Sequence, residues 1–215
     1  MSKKATPYTA DDIEILEDLS PILHRPGMYT DPVNPNHALV EVIDNSSDEG
    51  LAGYAKNVEI TVYEDGSAEV VDDGRGIPID IHKTKKIPAI QVIFTTLHSG
   101  GKFRKTDSES VYRIAGGLHG VGISVVNALS EELVLEIQRK GSLHRQSFSR
   151  GEPVSGLETI EATSSTGTRI RFKPDRQIFS DVIFHYETLS ARLREQAFLN
   201  KGVHVHIFDE IHGKE

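Results

Sequence analysis

The sequence predicts an α+β fold, a two-layer sandwich in which one mixed, mainly antiparallel sheet carries helices on one face. Two observations about local pattern lead to this prediction. Apolar side chains recur at helical spacing in some segments and alternate with polar ones in others. Asp65-Gly66 joins two strand-like segments as a hairpin. The third observation is the order of elements, which is helix, hairpin, helix, lid, helix, strands, helix and strand. This order favours a sheet whose strands are mainly antiparallel.

The first half of the chain is predicted to hold a helix followed by a hairpin. The helix covers residues 37–51, with Asn36 or a neighbour as its cap. Residues 58–63 alternate as a strand, and residues 68–71 form the return strand. The positions of the helix that share the core-facing spacing are Leu39, Val42, Ile43 and Ser46.

The second half is predicted to contain a long loop, three more helices and the remaining strands. Pro88 suits the start of a helix. Residues 99–117 are rich in Gly, Lys, Ser and Thr, which is typical of a lid or binding loop. Further helices are predicted over 123–129 and over 182–198, where Ile183 begins the apolar side. The remaining strands are predicted at 133–139, 143–149, 168–172 and 203–208.

Composition favours a soluble globular domain without a membrane partner. The 215 residues are 37% hydrophobic and 26% charged, and no stretch is long enough to span a bilayer. Cysteine is absent, which excludes disulfides and thiolate chemistry and makes the cytoplasm the expected compartment. The net charge of −8 is unlike that of a chain that holds DNA by itself, so DNA contact would need other regions or a local basic patch.

Four polar side chains share one face of the first predicted helix: Glu41, Asn45, Asp48 and Glu49. A solvated acidic stripe is the simpler interpretation. Against it, the stripe mixes acids with an amide, has no lysine or arginine partner on the helix, and adjoins apolar positions. A carboxylate can orient water and an amide oxygen can bind Mg²⁺, so this face is a candidate catalytic surface. His37 lies one turn before Glu41 and could support it, although a trivial surface pair fits the spacing equally well.

A second candidate segment follows the hairpin, where Asp72-Asp73-Gly74-Arg75-Gly76-Ile77-Pro78 stands. A surface turn is the simpler interpretation. Two glycines around an arginine, however, are typical of a backbone that approaches a ligand closely. A buried carboxylate at Asp72 would accept a hydrogen bond from the exocyclic amine of a nucleobase. It would repel a nucleobase that carries a carbonyl group at the same edge.

A third candidate is the glycine cluster 116–122, which opens a helix. Backbone N–H groups at a helix start can hold phosphates, although a flexible hinge is also plausible. The Rossmann and P-loop patterns are both absent. Lys102 in the lid and the turn Thr166-Gly167-Thr168 are weak features on their own. His204 and His206 share a strand face, where solvated histidines are favoured over a metal pair.

The order of these motifs resembles the Bergerat nucleotide fold of gyrase, Hsp90 chaperones, histidine kinases and MutL. Within that superfamily the chain resembles the ATPase domains of bacterial type II topoisomerases, over nearly its whole length. Met28-Tyr29-Thr30-Asp31 with Pro35-Asn36-His37 is closer to topoisomerase IV than to gyrase. The segments that carry the wider resemblance are 25–29, 41–45, 100–103 and 117–130.

The resemblance implies ATP and Mg²⁺ as cofactors and gives a role to individual residues. Glu41 is implied as the general base for the attacking water with His37 as its support, and Asn45 as the Mg²⁺ ligand. Asp72 is implied as the reader of adenine, backed by a water and Thr168. The other implied nucleotide contacts are Tyr8, Glu49, Arg75, Gly76, Ile77, Pro78, Lys102, Tyr112, Gly117, Leu118, His119, Gly120, Val121, Gly122 and Ile123, and aminocoumarin inhibitors are implied to contact Arg75, Pro78 and Arg139.

The same resemblance implies partners and a domain plan. Residues 1–12 are expected to be a dimerisation arm and residues 13–215 the ATP-binding domain, with a transducer domain that supplies a lysine to the γ-phosphate expected to follow. The longer protein would form a homodimer on binding ATP and a heterotetramer with the C subunit of topoisomerase IV (ParC), and would act on DNA. The chain by itself is expected to be a monomer that binds ATP and hydrolyses it poorly.

Three other assignments remain open. A chaperone-like module would use ATP only as a conformational clamp, and a kinase would pass phosphate to a protein. Gyrase B is the alternative within the topoisomerases. Two positions depart from the family pattern: Lys83–Lys86 is basic where relatives are commonly acidic, and Gly50 stands where alanine is usual.

Overall fold

The computed structural model describes residues 9, 18–99, 121–199 and 202–215. In this part of the chain an eight-stranded sheet carries helices on one face, so the predicted α+β sandwich is confirmed. The helices are α1 (Ser20–His24), α2 (Asn36–Leu51), α3 (Ala89–Thr95), α4 (Gly122–Ala128) and α5 (Tyr186–Leu199), with a short 3-10 helix at Pro26–Met28. The strands are β1 (Asn57–Val62), β2 (Ala68–Asp72), β3 (Ser130–Arg139), β4 (Ser142–Ser149), β5 (Glu152–Pro153), β6 (Glu158–Ala162), β7 (Gly167–Pro174) and β8 (His204–Asp209).

The sheet is mixed because a single pair of its described strands is parallel. The strand order is β5-β4-β3-β7-β2-β1-β8, and β6 pairs with β4 beside that path. β8 returns from the far end of the chain to lie parallel to β1, with Asn57 opposite His204, and the other pairs are antiparallel. None of the helices in the described ranges is long and apolar enough to cross a membrane.

Alternating side chains on the strands divide the sheet into a core face and an outer face. On β7, Ile170 and Phe172 are buried in the core, whereas Arg169 and Arg171 between them are only partly buried. This alternation is the strand period that the sequence showed. The core face packs against the helices, where Phe94 of α3 stacks on Phe148 of β4 with ring centroids 5.3 Å apart.

Two details differ from the sequence prediction, and a third prediction is not tested. β5 and β6 were not predicted, and all five residues of β6 are exposed, so it has no buried alternation to detect. α5 begins at Tyr186 rather than near 182, and Ile183 is 53% exposed because it precedes the helix. The predicted lid over 99–117 lies outside the described residues apart from Ser99.

Helix α2 carries the candidate catalytic face and is fixed at both ends. Asn36 is its first residue rather than its cap, and the neighbouring Asn34 accepts the N–H of Asn36 at 3.1 Å. The side-chain oxygen of Asn36 instead accepts from the backbone of His185 at 2.9 Å. At the other end, a Cβ on Gly50 would lie 2.6 Å from Val203, so the missing side chain allows α2 to approach the segment before β8.

The turn before β7 depends on a glycine for a similar reason. Thr168 pairs with Asp72 across β7 and β2, which brings the backbone of Gly167 against Asp72. A Cβ at position 167 would overlap the carbonyl oxygen of Asp72. Because that atom is backbone, it cannot turn aside as the end of a side chain can.

We expect Gly167→Ala to destabilise the protein by about 1–3 kcal/mol, since the added methyl group would push β7 away from β2. Urea denaturation measures the change. The matched control is Gly156→Ala, because no atom lies within 4 Å of a Cβ built on Gly156. A loss of stability that was equal in the two variants would rule out the contact with Asp72 as the cause.

Candidate functional site

Asp72 ends strand β2 and is the most buried carboxylate of the candidate segment 72–78, with 6% of its surface exposed. Ser46 of α2 donates a hydrogen bond to its Oδ2 at 2.9 Å, and the backbone of Gly74 donates to Oδ1 at 3.0 Å. A buried carboxylate must be hydrogen-bonded to remain charged, and these two donors come from the helix layer and from the turn. The sequence prediction that Asp72 is buried is confirmed.

Burial raises the pKa of Asp72 from its ordinary value of 3.8 to about 6. The main cause is removal of the carboxylate from water, and the negative charge of Glu49 adds to it. The hydrogen bonds from Gly74, Ser46 and the backbone of Thr168 act in the opposite direction but do not cancel the effect of burial. The ionised form of Asp72, which accepts hydrogen bonds, therefore costs free energy in the folded chain.

Glycines let the backbone of the turn pass close to this carboxylate. A Cβ on Gly74 would lie 2.8 Å from Oδ1 of Asp72 and 3.2 Å from Glu49. Gly76 has a φ of +72°, which favours glycine, and a Cβ there would lie 3.0 Å from the carbonyl oxygen of Gln138. Both glycines thus permit a close approach between parts of the protein itself, whereas the predicted approach to a ligand stays a prediction.

Arg75 between the glycines forms an ion pair with Glu49 of α2. Its Nη2 lies 2.7 Å from Oε1 of Glu49 and its Nε lies 3.0 Å from Oε2. The same guanidinium stacks over the ring of Tyr54 at 3.6 Å. The turn after β2 thus supplies a basic partner to the acidic face of α2.

Arg139 at the end of β3 braces the same turn from the other side. Its Nη1 donates to the carbonyl oxygens of Arg75 and Gly76, at 3.0 Å in the case of Arg75. Pro78, two residues further along, is exposed, and Ile77 is partly buried against the core. Arg139 thus lies against the backbone of Arg75 and Gly76, and the predicted contact of Arg75, Pro78 and Arg139 with an inhibitor stays a prediction.

Glu41 lies at the other end of the site, five residues before Ser46 on α2. His37 approaches it with Nε2 3.8 Å from Oε1 of Glu41, while Thr30 forms a hydrogen bond of 3.0 Å with Nδ1 of His37. Thr30 is buried, so it fixes the ring of His37 from behind. The predicted proximity of His37 to Glu41 is confirmed, although the distance is longer than a hydrogen bond.

The start of α4 meets Glu41 from across the site. A Cβ on Gly122, the first residue of α4, would overlap Oε2 of Glu41. One turn further along α2, the side-chain amide of Asn45 donates to the carbonyl oxygen of Glu41 at 2.8 Å. This hydrogen bond makes the side-chain oxygen of Asn45 the acceptor end of the amide, which is the kind of neutral oxygen that Mg²⁺ binds.

Several predicted contacts lie outside the described residues. Val121, Gly122 and Ile123 are described and lie at or beside the start of α4, and Val121 and Ile123 pack partly against the core. His204 and His206 are exposed on β8, and no group of three or more metal-binding side chains occurs in the part of the chain that the structure describes. The predicted contacts for which the structure describes nothing are Tyr8, Lys102, Tyr112, Gly117, Leu118, His119 and Gly120.

Sequence reasoning missed two residues that hold the site together. Ser46 was assigned to the core-facing side of α2, and its hydrogen bond to Asp72 joins positions 26 residues apart. Thr30 belongs to the Met28–Asp31 motif, but its contact with His37 was not predicted. No local periodicity could have revealed either pair, since each partner is set by how α2 packs.

The outer face of the sheet carries a separate, charged concave surface of about 460 Å³. Its arginines are already paired. Arg169 contacts both Glu69 and Glu136 within 2.8 Å, and Arg145 also pairs with Glu136. Arg171 pairs with Asp65 at 3.1 Å. The cations of this surface are neutralised within the chain, and the surface lies on the opposite face of the sheet from Asp72 and Ser46.

We expect the buried Asp72 to reduce the stability of the nucleotide-free protein as the pH rises. Its pKa of about 6 in the folded chain exceeds the ordinary 3.8, so the folded state binds more protons between these values. The stability that the wild type has relative to Asp72→Asn is therefore greatest below about pH 4, and it is lost as the pH rises through about 6. Between about pH 5 and pH 8 we expect the wild type to lose about 1–2 kcal/mol relative to that variant in urea denaturation.

Asp73→Asn is the matched control for this measurement. Although burial tends to raise it, hydrogen bonds from Asn57 and Lys56 hold the pKa of Asp73 below its usual value. Asp73 is therefore ionised in both states throughout that pH range, and the difference from wild type should stay constant. A parallel pH dependence in the two variants would contradict the role of burial at Asp72.

Comparison with known proteins gives consistent relatives. A sequence model of the family described as histidine kinase-, DNA gyrase B- and HSP90-like ATPases matches residues 30–178. The B subunit of DNA gyrase from Thermotoga maritima is 50% identical over 97% of this chain and 32% of its own length. That from Archaeoglobus fulgidus is 48% identical over 98% of this chain and 34% of its own length. The chain therefore spans about a third of the length of these relatives.

Solved structures agree with the sequence relatives. The ATP-binding domain of topoisomerase IV from Francisella tularensis, solved with a small-molecule inhibitor, has a TM-score of 0.80 and 41% identity, covering 93% of this chain and 95% of that one. The 43K ATPase domain of Thermus thermophilus gyrase B, solved with an aminocoumarin, has a TM-score of 0.79 and 42% identity, covering 91% of this chain and 50% of that one. This chain belongs to the family of histidine kinase-, DNA gyrase B- and HSP90-like ATPases and, within it, to the ATPase domains of gyrase B and topoisomerase IV.

Proposed function

We propose that this chain binds ATP together with Mg²⁺ and hydrolyses it, and that in the longer protein this drives DNA strand passage by a type II topoisomerase. The observation that carries the proposal is the buried carboxylate of Asp72, which Ser46 of α2 and the turn at Gly74 hold in place. The same helix carries Glu41 to the start of α4. Helix α2 thus connects a site suited to a nucleobase, at Asp72, with a site suited to phosphates, at the start of α4.

The adenine end of the site is assigned to Asp72. An ionised carboxylate accepts from the exocyclic amine of adenine and repels the carbonyl that guanine carries at that edge. Gly74 lets the turn close on Asp72, so that its backbone N–H can hold this carboxylate in position. Thr168, opposite Asp72 on β7, is assigned a supporting hydrogen bond through a water.

The phosphate end is assigned to Asn45 and to the glycines that open α4. The side-chain oxygen of Asn45, oriented by the hydrogen bond from its amide to Glu41, is a suitable neutral Mg²⁺ ligand beside a triphosphate. When bound, Mg²⁺ supplies positive charge that stabilises the phosphoryl group in the transition state of its transfer. Backbone N–H groups near Gly122 would hold the remaining negative charge.

Glu41 is assigned as the general base. Its carboxylate lies beside Gly122, where the phosphates would be held, and can take the proton of a water in line with the γ-phosphate. His37 lies 3.8 Å from this carboxylate and is itself held by a 3.0 Å hydrogen bond with Thr30, so it is placed to support Glu41. A clamp that only bound ATP would have no need of this arrangement, which favours hydrolysis over the chaperone-like alternative.

The remaining assignments concern closure of the site and partners. Three segments are proposed to complete the nucleotide site. They are residues 1–12, as a dimerisation arm with Tyr8, the lid with Lys102 and Tyr112, and the segment 117–123. ATP would dimerise the longer protein, and a lysine of a transducer domain would reach the γ-phosphate, so residues 1–215 alone should bind ATP as a monomer and turn it over slowly. Arg75, Pro78 and Arg139 are proposed to contact aminocoumarin inhibitors, and the Thermus thermophilus relative was solved in complex with an aminocoumarin.

Topoisomerase IV, with ParC as the partner subunit, is our first assignment for the longer protein. Gyrase is the second, because the sequence relatives at 48–50% identity carry that name. Assaying the full-length protein with its partner subunit separates them, since ATP-dependent decatenation without negative supercoiling supports topoisomerase IV. Negative supercoiling of relaxed DNA would instead assign gyrase, and an absence of both activities would contradict strand passage.

We expect Asp72→Asn to abolish measurable ATP binding while the fold remains intact. The amide would turn an N–H towards the amine of adenine, and a buried mismatch costs about 1–3 kcal/mol on top of the lost hydrogen bond. Calorimetric titration with a non-hydrolysable analogue tests this, with the exposed Asp73→Asn as control. Unchanged affinity in Asp72→Asn, or equal competition by GTP in the wild type, would show that Asp72 does not read the base.

We expect Glu41→Ala in the full-length protein to bind nucleotide normally but to hydrolyse it about 10²–10⁴-fold more slowly, because a positioned base is lost. Phosphate release measures the rate and calorimetry measures the affinity. Glu59→Ala on β1 is the matched control, because Glu59 is exposed whereas its neighbours Val58 and Ile60 are buried in the core. Turnover close to normal in Glu41→Ala would move the base to another residue, with His37 the first to test.

A further inference from the structure

We propose that the basic loop, residues 82–86, binds the phosphate backbone of DNA. The loop has the sequence His82-Lys83-Thr84-Lys85-Lys86, and all five of its residues are exposed. It contributes three positive charges within four positions of a chain whose net charge is −8. The inference rests on the proposed function, because a topoisomerase brings DNA close to its ATPase domains.

The backbone of the basic loop is held in one shape. The N–H of His82 donates to Ile87 at 2.8 Å, and the N–H of Lys86 donates back to His82 at 2.9 Å. Ile81 and Pro88 form an isolated bridge that closes the base of the loop. Lys86 has a φ of +59°, an unusual conformation for a residue with a side chain, which a tight turn of this kind imposes.

The side chain of His82 closes the turn from inside. Its Nδ1 accepts the N–H of Lys85 at 3.2 Å. An accepting Nδ1 places the proton of the neutral ring on Nε2, so this nitrogen is a further donor on the loop. A loop ordered before it binds loses less entropy on contact than a flexible lysine tail would.

The lysines of the basic loop differ from the arginines on the outer face of the sheet, because among the described residues they have no carboxylate partner. Within the part of the chain that the structure describes, Lys83, Lys85 and Lys86 form no salt bridge. The arginines on the outer face of the sheet, by contrast, pair with Glu69, Glu136 and Asp65. Surface charges that are adjacent, ordered and not neutralised within the chain are suited to an external polyanion.

The loop is anchored to the wall of the nucleotide site. Lys140 forms an ion pair with Asp80, just before the loop, and the neighbouring Arg139 binds the carbonyl oxygens of Arg75 and Gly76. The loop also leads directly into α3. DNA bound there would lie beside the mouth of the site rather than on the outer face of the sheet.

Phosphates of duplex DNA fit these features better than a membrane surface does. Duplex DNA carries one negative charge per about 1.7 Å of axis, so a single loop can meet several phosphates. Membrane attachment needs substantial apolar area beside the charges. In the segment around the loop, Ile81 is the large apolar side chain that is most exposed, at 59%.

The test is binding of residues 1–215 to a short fluorescein-labelled DNA duplex, followed by anisotropy over a salt series. We expect the triple variant Lys83→Gln, Lys85→Gln, Lys86→Gln to bind at least about ten-fold more weakly at low salt. The slope of log affinity against log salt should fall by about 2–3, since each lost phosphate contact removes about 0.9.

The matched control removes the same charge from scattered exposed positions, as Lys56→Gln, Arg176→Gln, Arg194→Gln. We expect the slope of log affinity against log salt for this variant to stay within about 0.9 of the wild-type slope, which is the contribution of one phosphate contact. Equal losses in the two triple variants would overturn the inference, because net charge alone would then explain binding. So would an absence of wild-type binding to the duplex, or tighter binding to phosphatidylserine vesicles than to DNA.

Titration of each variant with the non-hydrolysable ATP analogue separates this inference from the proposed function. Unchanged nucleotide affinity in the loop variant supports a contact with DNA alone, whereas a loss there would overturn it by assigning the lysines to nucleotide. If the wild type bound no nucleotide but bound DNA through the loop, the proposed function would fail and the loop assignment would stand.

Discussion

The site depends on keeping one carboxylate, Asp72, charged while it is buried. Several parts of the fold are arranged for this purpose. Helix α2 must place the hydroxyl of Ser46 2.9 Å from Oδ2, and the turn must place the N–H of Gly74 3.0 Å from Oδ1. Position 74 must also lack a Cβ, because its nearest contact would be the same carboxylate. Since burial still raises the pKa of Asp72 to about 6, the arrangement costs stability when the carboxylate is ionised, which agrees with the role in recognition that we propose for it.

Helix α2 also fixes the distance between the two halves of the site. Ser46 and Glu41 are five residues apart, which is a rise of about 7.5 Å along an α-helix. The end that we propose to read the nucleobase and the end that we propose to hydrolyse ATP are therefore parts of one rigid element, and a movement of α2 shifts both together. Glu41 in turn touches Gly122 at the start of α4, so the segment that precedes α4 is tied to the same helix. This geometry gives a direct route by which bound nucleotide can alter the packing of α2 against α4.

The sequence could predict features that depend on neighbours along the chain. The hairpin at Asp65-Gly66 and the start of α3 after Pro88 follow from local residue preferences. Features that depend on packing were out of reach. The hydrogen bond from Ser46 and the pairing of Glu49 with Arg75 join elements that are distant in sequence. Strand β6 escaped because it is exposed along its whole length and so has no alternation.

The parallel pairing of β1 with β8 has a consequence for how the chain reaches its fold. β1 pairs on one side with β2 through a short hairpin, whereas on its other side it pairs with residues 204–209 near the far end of the described chain. Contacts between such distant segments form slowly, because a long loop must close first. Until β8 docks, β1 presents an open row of backbone N–H and C=O groups to any other chain nearby. Aggregation during synthesis or refolding should therefore begin at this edge, and protecting it should be the task of the cell's chaperones.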